Sequence, residues 1–160
     1  MKIVIKDTGS KGKGVFAVRK IKKGQVILTH NFRSDRRVYK KDIPNLSEKD
    51  QNHIDYIGDD KYAVGYSPIF MMNHSCKPNA FVKYETFLLK KVIAMKNIEK
   101  GEEIFLDYSI DTTGTWKMKC LCGKENCRKT IYGTYKKLPR KLQKKYWKYV
   151  PKWKKDLLKY

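Results

Sequence analysis

Three of the four cysteines lie close together, at Cys120, Cys122 and Cys127, in the pattern Cys-x-Cys-x-x-x-x-Cys. Thiolates are preferred zinc ligands, and a structural zinc ion takes four ligands in a tetrahedron. The remaining cysteine, Cys76, lies far upstream, so a four-cysteine site would join the end of the chain to its middle. Two other interpretations stay open: unrelated reduced thiols, or a site that His53 completes. Four thiolates leave no coordination position for water, which predicts a structural metal and not a catalytic one.

Cys76 belongs to a second group of residues that could do chemistry, the segment Asn73-His74-Ser75-Cys76-Lys77-Pro78-Asn79. Tyr108, directly after Asp107, adds a phenol with an ordinary pKa near 10. Such a group is a weak base at neutral pH but a good hydrogen-bond partner. The segment from Lys11 to Gly14 contains two glycines, which let a backbone approach a ligand without obstruction by side chains.

The chain has 160 residues and a formal net charge of +21, with 33% charged residues. This length fits one domain with a single core. The positive charge predicts an acidic or polyanionic partner, although a Lys-rich genome composition would also produce it. There is no apolar stretch of signal-peptide length, and no segment approaches the roughly 20 apolar residues of a membrane span. We therefore expect a protein inside the cell, where reducing conditions favour a metal site over the disulfides of a secreted protein.

Short apolar runs separated by glycine turns predict a mainly β body. The predicted strands cover residues 15–18, 26–28, 62–64, 80–82, 87–89, 92–94 and 104–106. Two turns share the form Ile-x-Lys-Gly-x-x-Ile, beginning at Ile21 and Ile98, and each leads into a strand. Residues 30–60 are polar and irregular, except that Ser47, with Asp50 three residues later, predicts the start of a short helix.

Beyond residue 130 the composition changes to 11 Lys and Arg against one acid, Asp156. Apolar residues recur there every three or four positions, which predicts an amphipathic helix that breaks near Pro151. They are Leu138, Leu142, Tyr146, Tyr149, Trp153 and Leu157. Packing of this stripe on the β body is one role, and contact of the interleaved lysines and rings with nucleic acid is another. Opposite faces of one helix can serve both.

In order and type, these motifs resemble the SET domain of protein-lysine methyltransferases. Lys11-Gly12-Lys13-Gly14-Val15-Phe16-Ala17 resembles the N-terminal Gly-x-Gly-Val-x-Ala strand of that family, and residues 73–79 match Asn-His-x-Cys-x-Pro-Asn. Residues 101–108 resemble Gly-Glu-Glu-Leu-x-Phe-Asp-Tyr, and the cysteines with Gly123 and Arg128 resemble the post-SET zinc motif. The 160 residues contain no cysteine-rich pre-SET region. The resemblance implies a SET-domain (β-clip, pseudoknotted) fold, mainly β with short helices, plus a zinc-bound post-SET loop and a basic C-terminal helical segment.

The resemblance also implies an activity, the transfer of a methyl group from S-adenosylmethionine to a lysine side chain of a protein substrate. It assigns catalysis to Tyr108, which would orient the amine and the methyl group. It assigns cofactor binding to Lys11, Gly12, Lys13, Gly14, Asn73, His74 and Tyr108, although His74 alone would be interpreted as an ordinary semi-buried histidine. The walls of a substrate channel would be Tyr62, Tyr66 and Leu106, the last at a position where many relatives have Phe or Tyr. The zinc ligands would be Cys76, Cys120, Cys122 and Cys127.

These expectations divide the chain into a SET core at 1–116, a post-SET zinc loop at 117–130 and a basic amphipathic segment at 131–160. The substrate would be a histone or another protein associated with DNA or RNA. A charge of +21 would repel a free basic tail unless nucleic acid mediates the encounter. The place of action would be the nucleus or chromatin in a eukaryote or its host, and otherwise the cytoplasm. A nucleic-acid-binding zinc protein with a catalytically inert SET-like scaffold is the second interpretation.

Overall fold

The computed structural model describes residues 2–112 and 114–158. Met1 and Thr113 of the predicted SET core at 1–116, and residues 159–160 of the predicted basic segment at 131–160, lie outside the described residues. The strands are β1 (Ile3–Asp7), β2 (Lys13–Ala17), β3 (Val26–Asn31), β4 (Arg36–Tyr39), β5 (Ile54–Gly58), β6 (Lys61–Val64), β7 (Asn73–His74), β8 (Ala80–Tyr84), β9 (Leu89–Ala94), β10 (Phe105–Leu106), β11 (Lys117–Lys119) and β12 (Thr130–Tyr132). The α-helices are α1 (Glu48–Gln51), α2 (Tyr108–Asp111), α3 (Arg140–Tyr146) and α4 (Lys152–Leu158). The prediction of a mainly β chain with short helices is confirmed.

The strands form small sheets instead of one large one. Two antiparallel sheets have three strands each, in the orders β3–β9–β8 and β4–β6–β5, and β1–β2 and β11–β12 are hairpins. Along β9 every second residue is buried, so Lys90 points inward with Val92 and Ala94. The buried Lys90 ammonium donates to a carboxylate oxygen of Asp55 and to the Tyr56 carbonyl, both at 2.7 Å. This lysine therefore ties the two three-stranded sheets together.

The two glycine turns predicted from the repeated Ile-x-Lys-Gly pattern are both present, and they lie side by side. Gly24 and Gly101 have φ angles of 82° and 86°, a region that glycine adopts without strain. Ile21 and Ile98 exchange two backbone hydrogen bonds of 2.9 Å, and both side chains are buried. The similarity of the two segments thus reflects two turns that pair with each other in the core.

Two expectations for the chain between residues 30 and 89 are wrong in part. Ser47 does cap α1, accepting from the Asp50 amide, but the surrounding region is not irregular, since β4 and β5 lie within it. Their pairing with β6 supplies the order that their polar composition does not indicate. Of the strand predicted at residues 87–89, only Leu89 belongs to β9, since Phe87 and Leu88 lie in the β8–β9 turn, where the Phe87 ring packs on Tyr56.

The C-terminal segment packs on the β body as two helices separated by the buried Pro151. Tyr146 is buried against Ile110 of α2, as the amphipathic pattern predicts, and Val150, which that pattern does not include, is buried with them. The prediction that Leu157 belongs to the buried stripe is wrong, because this residue is 63% exposed. The helix starts anew after Pro151, so the phase of its apolar face changes and Leu158 packs in its place. Within the two described ranges, no helix has the length and apolar character needed to cross a bilayer.

Candidate active site and cysteine cluster

Strands β7 and β10 are the centre of the site. They pair in parallel, with Asn73 opposite Phe105 and His74 opposite Leu106. The amide side chain of Asn79 extends the junction by accepting from the Phe105 N–H at 2.7 Å and donating to the Glu103 carbonyl at 2.8 Å. Two segments that are distant in sequence, residues 73–79 and 103–108, therefore form one rigid unit.

His74 contacts Tyr108 directly. Its Nδ1 accepts the backbone N–H of Tyr108 at 3.3 Å, and its ring lies 5.4 Å from the tyrosine ring. The imidazole is buried, and burial lowers its pKa to about 4. A neutral ring agrees with the acceptor role of Nδ1. His74 thus fixes the start of α2, where Tyr108 is the first residue.

The Tyr108 hydroxyl donates to the backbone carbonyl of Met72 at 2.8 Å. Burial raises the pKa of this phenol well above its ordinary value, with smaller contributions from the carboxylates of Asp111 and Glu103. The hydroxyl is therefore neutral at physiological pH and cannot act as a base. Its oxygen retains the capacity to accept a hydrogen bond from a further group.

Asn73 joins the predicted glycine segment to β7. Its side-chain amide donates to the Lys13 carbonyl at 3.0 Å and to Glu103 Oε1 at 2.8 Å. The other oxygen of Glu103 binds the Lys11 ammonium at 2.9 Å. A Cβ on Gly14 would lie 2.5 Å from Glu103 Oε1 and 3.0 Å from Asn73 Nδ2, so only glycine permits this approach.

The same segment has room for a ligand on its other side. Gly12 has a φ of +69°, and a Cβ built there would meet no atom within 4 Å. The backbone of residues 11–14 is thus packed against Asn73 and Glu103 at Gly14 and open at Gly12. This arrangement fits the backbone approach to a cofactor that the two glycines predict.

The four cysteines converge as their spacing predicts. The sulfur atoms of Cys76, Cys120, Cys122 and Cys127 all lie within 4.8 Å of one another. Two of them, in Cys76 and Cys120, are 3.7 Å apart. Zn–S bonds of about 2.3 Å in a tetrahedron place sulfur atoms about 3.8 Å apart, whereas a disulfide needs about 2.05 Å. The donor set therefore fits zinc, and His53 is not part of it, since its ring contacts Lys49 and Tyr66.

The cysteine cluster and α2 are connected by a residue to which the sequence analysis gave no role of its own. The Arg128 guanidinium binds both oxygens of Asp107, and its backbone N–H donates to the Cys76 sulfur at 3.3 Å. Asn126 donates from its side chain to the Cys76 carbonyl at 3.3 Å. The position of Arg128 directly after Cys127 was the available signal, but sequence alone does not identify Asp107 as its partner.

The three predicted channel residues occupy different surroundings. Leu106 is buried in the core next to Tyr108, at the β7–β10 junction. Tyr62 lies on β6 with its ring 5.5 Å from that of Tyr56, and Tyr66 is 44% exposed and donates to Asp50 beside α1. The structure therefore brings Leu106 to the site, whereas Tyr62 lies on the β4–β6–β5 sheet and Tyr66 contacts α1.

Residues 12–109 match the family model of the SET domain, which is more than half of the chain. The chain therefore belongs to the SET domain family. The match contains the glycine strand, the Asn73 to Asn79 segment and Tyr108.

Individual curated relatives match this chain over a shorter stretch than the family model does. A Debaryomyces hansenii histone-lysine N-methyltransferase, described as H3 lysine-36 specific, is 42% identical over 64 residues, 38% of this chain and 9% of that protein. The Saccharomyces cerevisiae protein of the same description is 43% identical over 58 residues, 34% of this chain and 8% of its own length. The chain thus spans about a tenth of the length of these relatives.

Two solved structures share the fold. A candidate histone methyltransferase from Plasmodium falciparum is 25% identical, with a TM-score of 0.51 over 67% of this chain and 92% of that one. The methyltransferase domain of the human histone-lysine N-methyltransferase SETMAR has a TM-score of 0.61 over 82% of this chain and 58% of that one, at 19% identity. At that identity the second likeness concerns the fold alone.

Proposed function

We propose that this protein is an S-adenosylmethionine-dependent protein-lysine methyltransferase. The observation that carries the proposal is the direct hydrogen bond between His74 and Tyr108 at the β7–β10 junction, inside the stretch that matches the SET domain. Relatives named histone-lysine N-methyltransferases support this reaction. No contact of the described residues specifically favours the inert-scaffold interpretation.

In this proposal Tyr108 is the catalytic residue, and its task is orientation. Its proton is held by the Met72 carbonyl, which leaves the phenol oxygen to accept an N–H of the substrate amine. The amine must be neutral before it attacks, and its reference pKa is about 10.4. The buried surroundings that raise the pKa of Tyr108 would also favour the neutral form of an amine placed beside it.

S-adenosylmethionine, when bound, supplies a methyl group on a positively charged sulfur. The residues that would hold it are Lys11, Gly12, Lys13, Gly14, Asn73, His74 and Tyr108. Methyl transfer depends on alignment of donor and acceptor more than on acid or base strength. The Asn73 amide serves this alignment because it donates to the Lys13 carbonyl and to Glu103, which also binds Lys11, and so fixes the glycine segment against β7. Leu106 would form a channel wall next to Tyr108, and Tyr62 and Tyr66 stay predictions.

We further propose that Cys76, Cys120, Cys122 and Cys127 bind one structural zinc ion. The sulfur spacing supports this, and four thiolates would leave no open position on the metal. The loop at 117–130 would then be a zinc clasp on the SET core at 1–116, with the basic segment at 131–160 as a third part. Metal binding would contribute folding free energy to the loop, which has little core of its own.

For the substrate we propose a histone or another nucleic-acid-associated protein, with action on chromatin. The names of the relatives support a histone, and the charge of +21 supports an encounter through nucleic acid. A free basic tail would be repelled, so bound DNA or RNA would supply the attraction.

We propose that nucleic acid contacts a group of exposed basic residues on the C-terminal segment, called here the basic ridge. It consists of exposed residues on α3 and directly beside it, namely Lys137, Arg140, Lys141, Lys144, Lys145 and Lys148. The sequence places no acid between residues 131 and 155. At the start of the ridge, Lys137 lines an open cavity of about 360 Å³ that Trp116 and Tyr132 also line. Both rings are 38% exposed, so an unstacked base could lie against them while phosphates contact the ridge.

The enzyme proposal is tested with S-adenosylmethionine carrying a labelled methyl group and a mixture of nucleosomes and free histones. We expect the wild type to label a protein band. Tyr108→Phe keeps the ring and should still bind the cofactor, but it should label at least about a hundredfold more slowly. Circular dichroism checks that the variant is folded. Absence of cofactor binding by the wild type, or full activity of Tyr108→Phe, would reject the proposal.

A further inference from the structure

Lys154 of α4 is a buried lysine with no part in the proposed chemistry so far. It is 2% exposed, and its ammonium donates to the Ser109 carbonyl at 3.0 Å and also to the Thr112 carbonyl. Ser109 belongs to the single turn of α2, the helix that begins at Tyr108, and Thr112 is the C-cap residue of that helix. The last carbonyls of a helix have no partner within it. Lys154 therefore caps the helix that carries the candidate catalytic residue.

The support behind Lys154 is rigid. The preceding residue, Trp153, packs its ring 5.5 to 5.8 Å from the rings of Tyr56, Phe87 and Tyr84. On the other side of Pro151, Val150 is buried together with Ile110 of α2. Lys152, two residues before Lys154 in the same helix, is exposed. The ammonium is thus held in place by an aromatic anchor.

At its other end α2 is held by the site itself. The Tyr108 N–H donates to His74, and the Asp107 side chain accepts from the Ser109 N–H. With one end fixed by β7 and the other by Lys154, this single turn has little freedom to rotate. The rotation of α2 decides where the Tyr108 hydroxyl lies relative to the Met72 carbonyl.

The ammonium also has carboxylate neighbours. The charges of Asp111 and Asp107 favour the protonated form of Lys154, against the burial that lowers its pKa to about 8. Loss of Lys154 would therefore have two separate effects: two carbonyls would lose a donor, and Asp111 would lose one of the two lysine charges that act on it, with Lys90 remaining. The two effects can be distinguished by experiment.

We propose that Lys154 is a positioning residue for methyl transfer, which fixes Tyr108 by capping α2 from the C-terminal segment. The inference rests on the proposed methyltransferase function. It makes the C-terminal segment a part of the active-site framework in addition to any role in binding nucleic acid.

The first test compares Lys154→Met with Lys152→Met in the full chain. Met keeps the length of the side chain and removes the donor. We expect Lys154→Met to lower kcat about tenfold to a hundredfold while the Kd for S-adenosylmethionine stays within about threefold. A misplaced Tyr108 disturbs alignment more than cofactor binding, because the other proposed cofactor-binding residues stay in place. Lys152→Met should match the wild type. An unchanged kcat in folded Lys154→Met overturns the proposal, and so does a loss of cofactor affinity equal to the loss of activity.

The second test separates capping from charge by adding Asp111→Asn to Lys154→Met. The double variant has no uncompensated carboxylate, so we expect its melting temperature to recover. The carbonyls of Ser109 and Thr112 still lack a donor, so kcat should stay low. If kcat recovers together with stability, Lys154 is only a charge partner and the positioning role is refuted.

A third measurement tests the cap without relying on methyltransferase activity, so it remains informative if the proposed enzyme function is wrong. Amide hydrogen exchange at Ile110 and Thr112, which donate to Asp107 and Tyr108, reports on α2 alone. We expect faster exchange in Lys154→Met than in Lys152→Met. Equal exchange in both would overturn the capping role. A wild type without methyltransferase activity but with the faster exchange in Lys154→Met would reject the proposed function and retain the cap.

Discussion

Arg128 binds both carboxylate oxygens of Asp107, with N–O distances of 2.6 and 2.7 Å. The Asp107 side chain is completely buried, and that of Arg128 is 12% exposed. One partner follows the last cysteine of the cluster, and the other precedes Tyr108. This ion pair therefore makes the cysteine cluster and the start of α2 one mechanical unit.

Arg128→Met should destabilise the protein by about 3 to 5 kcal/mol, because it leaves the buried Asp107 carboxylate without its charge partner. Urea unfolding followed by tryptophan fluorescence measures this change. Arg140→Met, at an exposed arginine, is the matched control and should cost less than about 0.5 kcal/mol. Equal losses in the two variants would show that the pair contributes little.

Metal analysis should find about one zinc per chain, and Cys122→Ser should abolish binding and lower the melting temperature. Met118→Ser, at a 47% exposed position of the same loop, should do neither. Cys76→Ser should also weaken binding of S-adenosylmethionine, measured by calorimetry, because the Cys76 sulfur accepts from Arg128 and lies 3.4 Å from His74 Nε2. A Cys76→Ser protein that lost the metal and kept full cofactor affinity would show that the two sites are independent.

Asp111 should make stability depend on pH. Burial and the carboxylate of Asp55 raise its pKa from 3.8 to about 7, although Lys154 and Lys90 oppose the rise. The folded state binds this proton more tightly than the unfolded state, so the stabilisation is complete below about pH 4 and is lost as the pH rises through about 7. The stability of the wild type minus that of Asp111→Asn should therefore fall between these values. Parallel urea-unfolding curves across that range would contradict a raised pKa.

The basic ridge should control the salt dependence of nucleic-acid binding. Each phosphate contact contributes about 0.9 to the slope of log K against log salt for duplex DNA and about 0.7 for single strands. Replacing Lys141, Lys144, Lys145 and Lys148 with Gln should reduce that slope by about 2 to 4 and weaken binding. The same change at the exposed residues Lys22, Lys23, Lys40 and Lys41 removes equal charge and is the control. Point variants are preferable to deletion of residues 139–160, because Tyr146 and Lys154 are buried against the body.

A similar loss of salt-dependence slope and of affinity in both lysine variants would show that binding depends on overall charge and not on the ridge. Trp116→Ala tests the cavity separately. It should weaken binding of single strands by about 1 to 3 kcal/mol and leave duplex binding almost unchanged.

The sequence determined the chemistry of this protein because residue types in short motifs carry it. Cysteine spacing predicted a shared cluster with Cys76, and the Asn73-His74 and Asp107-Tyr108 motifs indicated the site that β7 and β10 form. Only the tertiary structure decided which residues hold that site together. The partners Asp107 with Arg128 and Lys154 with Ser109 are 21 and 45 residues apart, and local periodicity carries no signal for pairs that fold topology brings together. Both contacts depend on where the cysteine loop and α4 dock, a placement that long-range packing sets and a motif cannot encode.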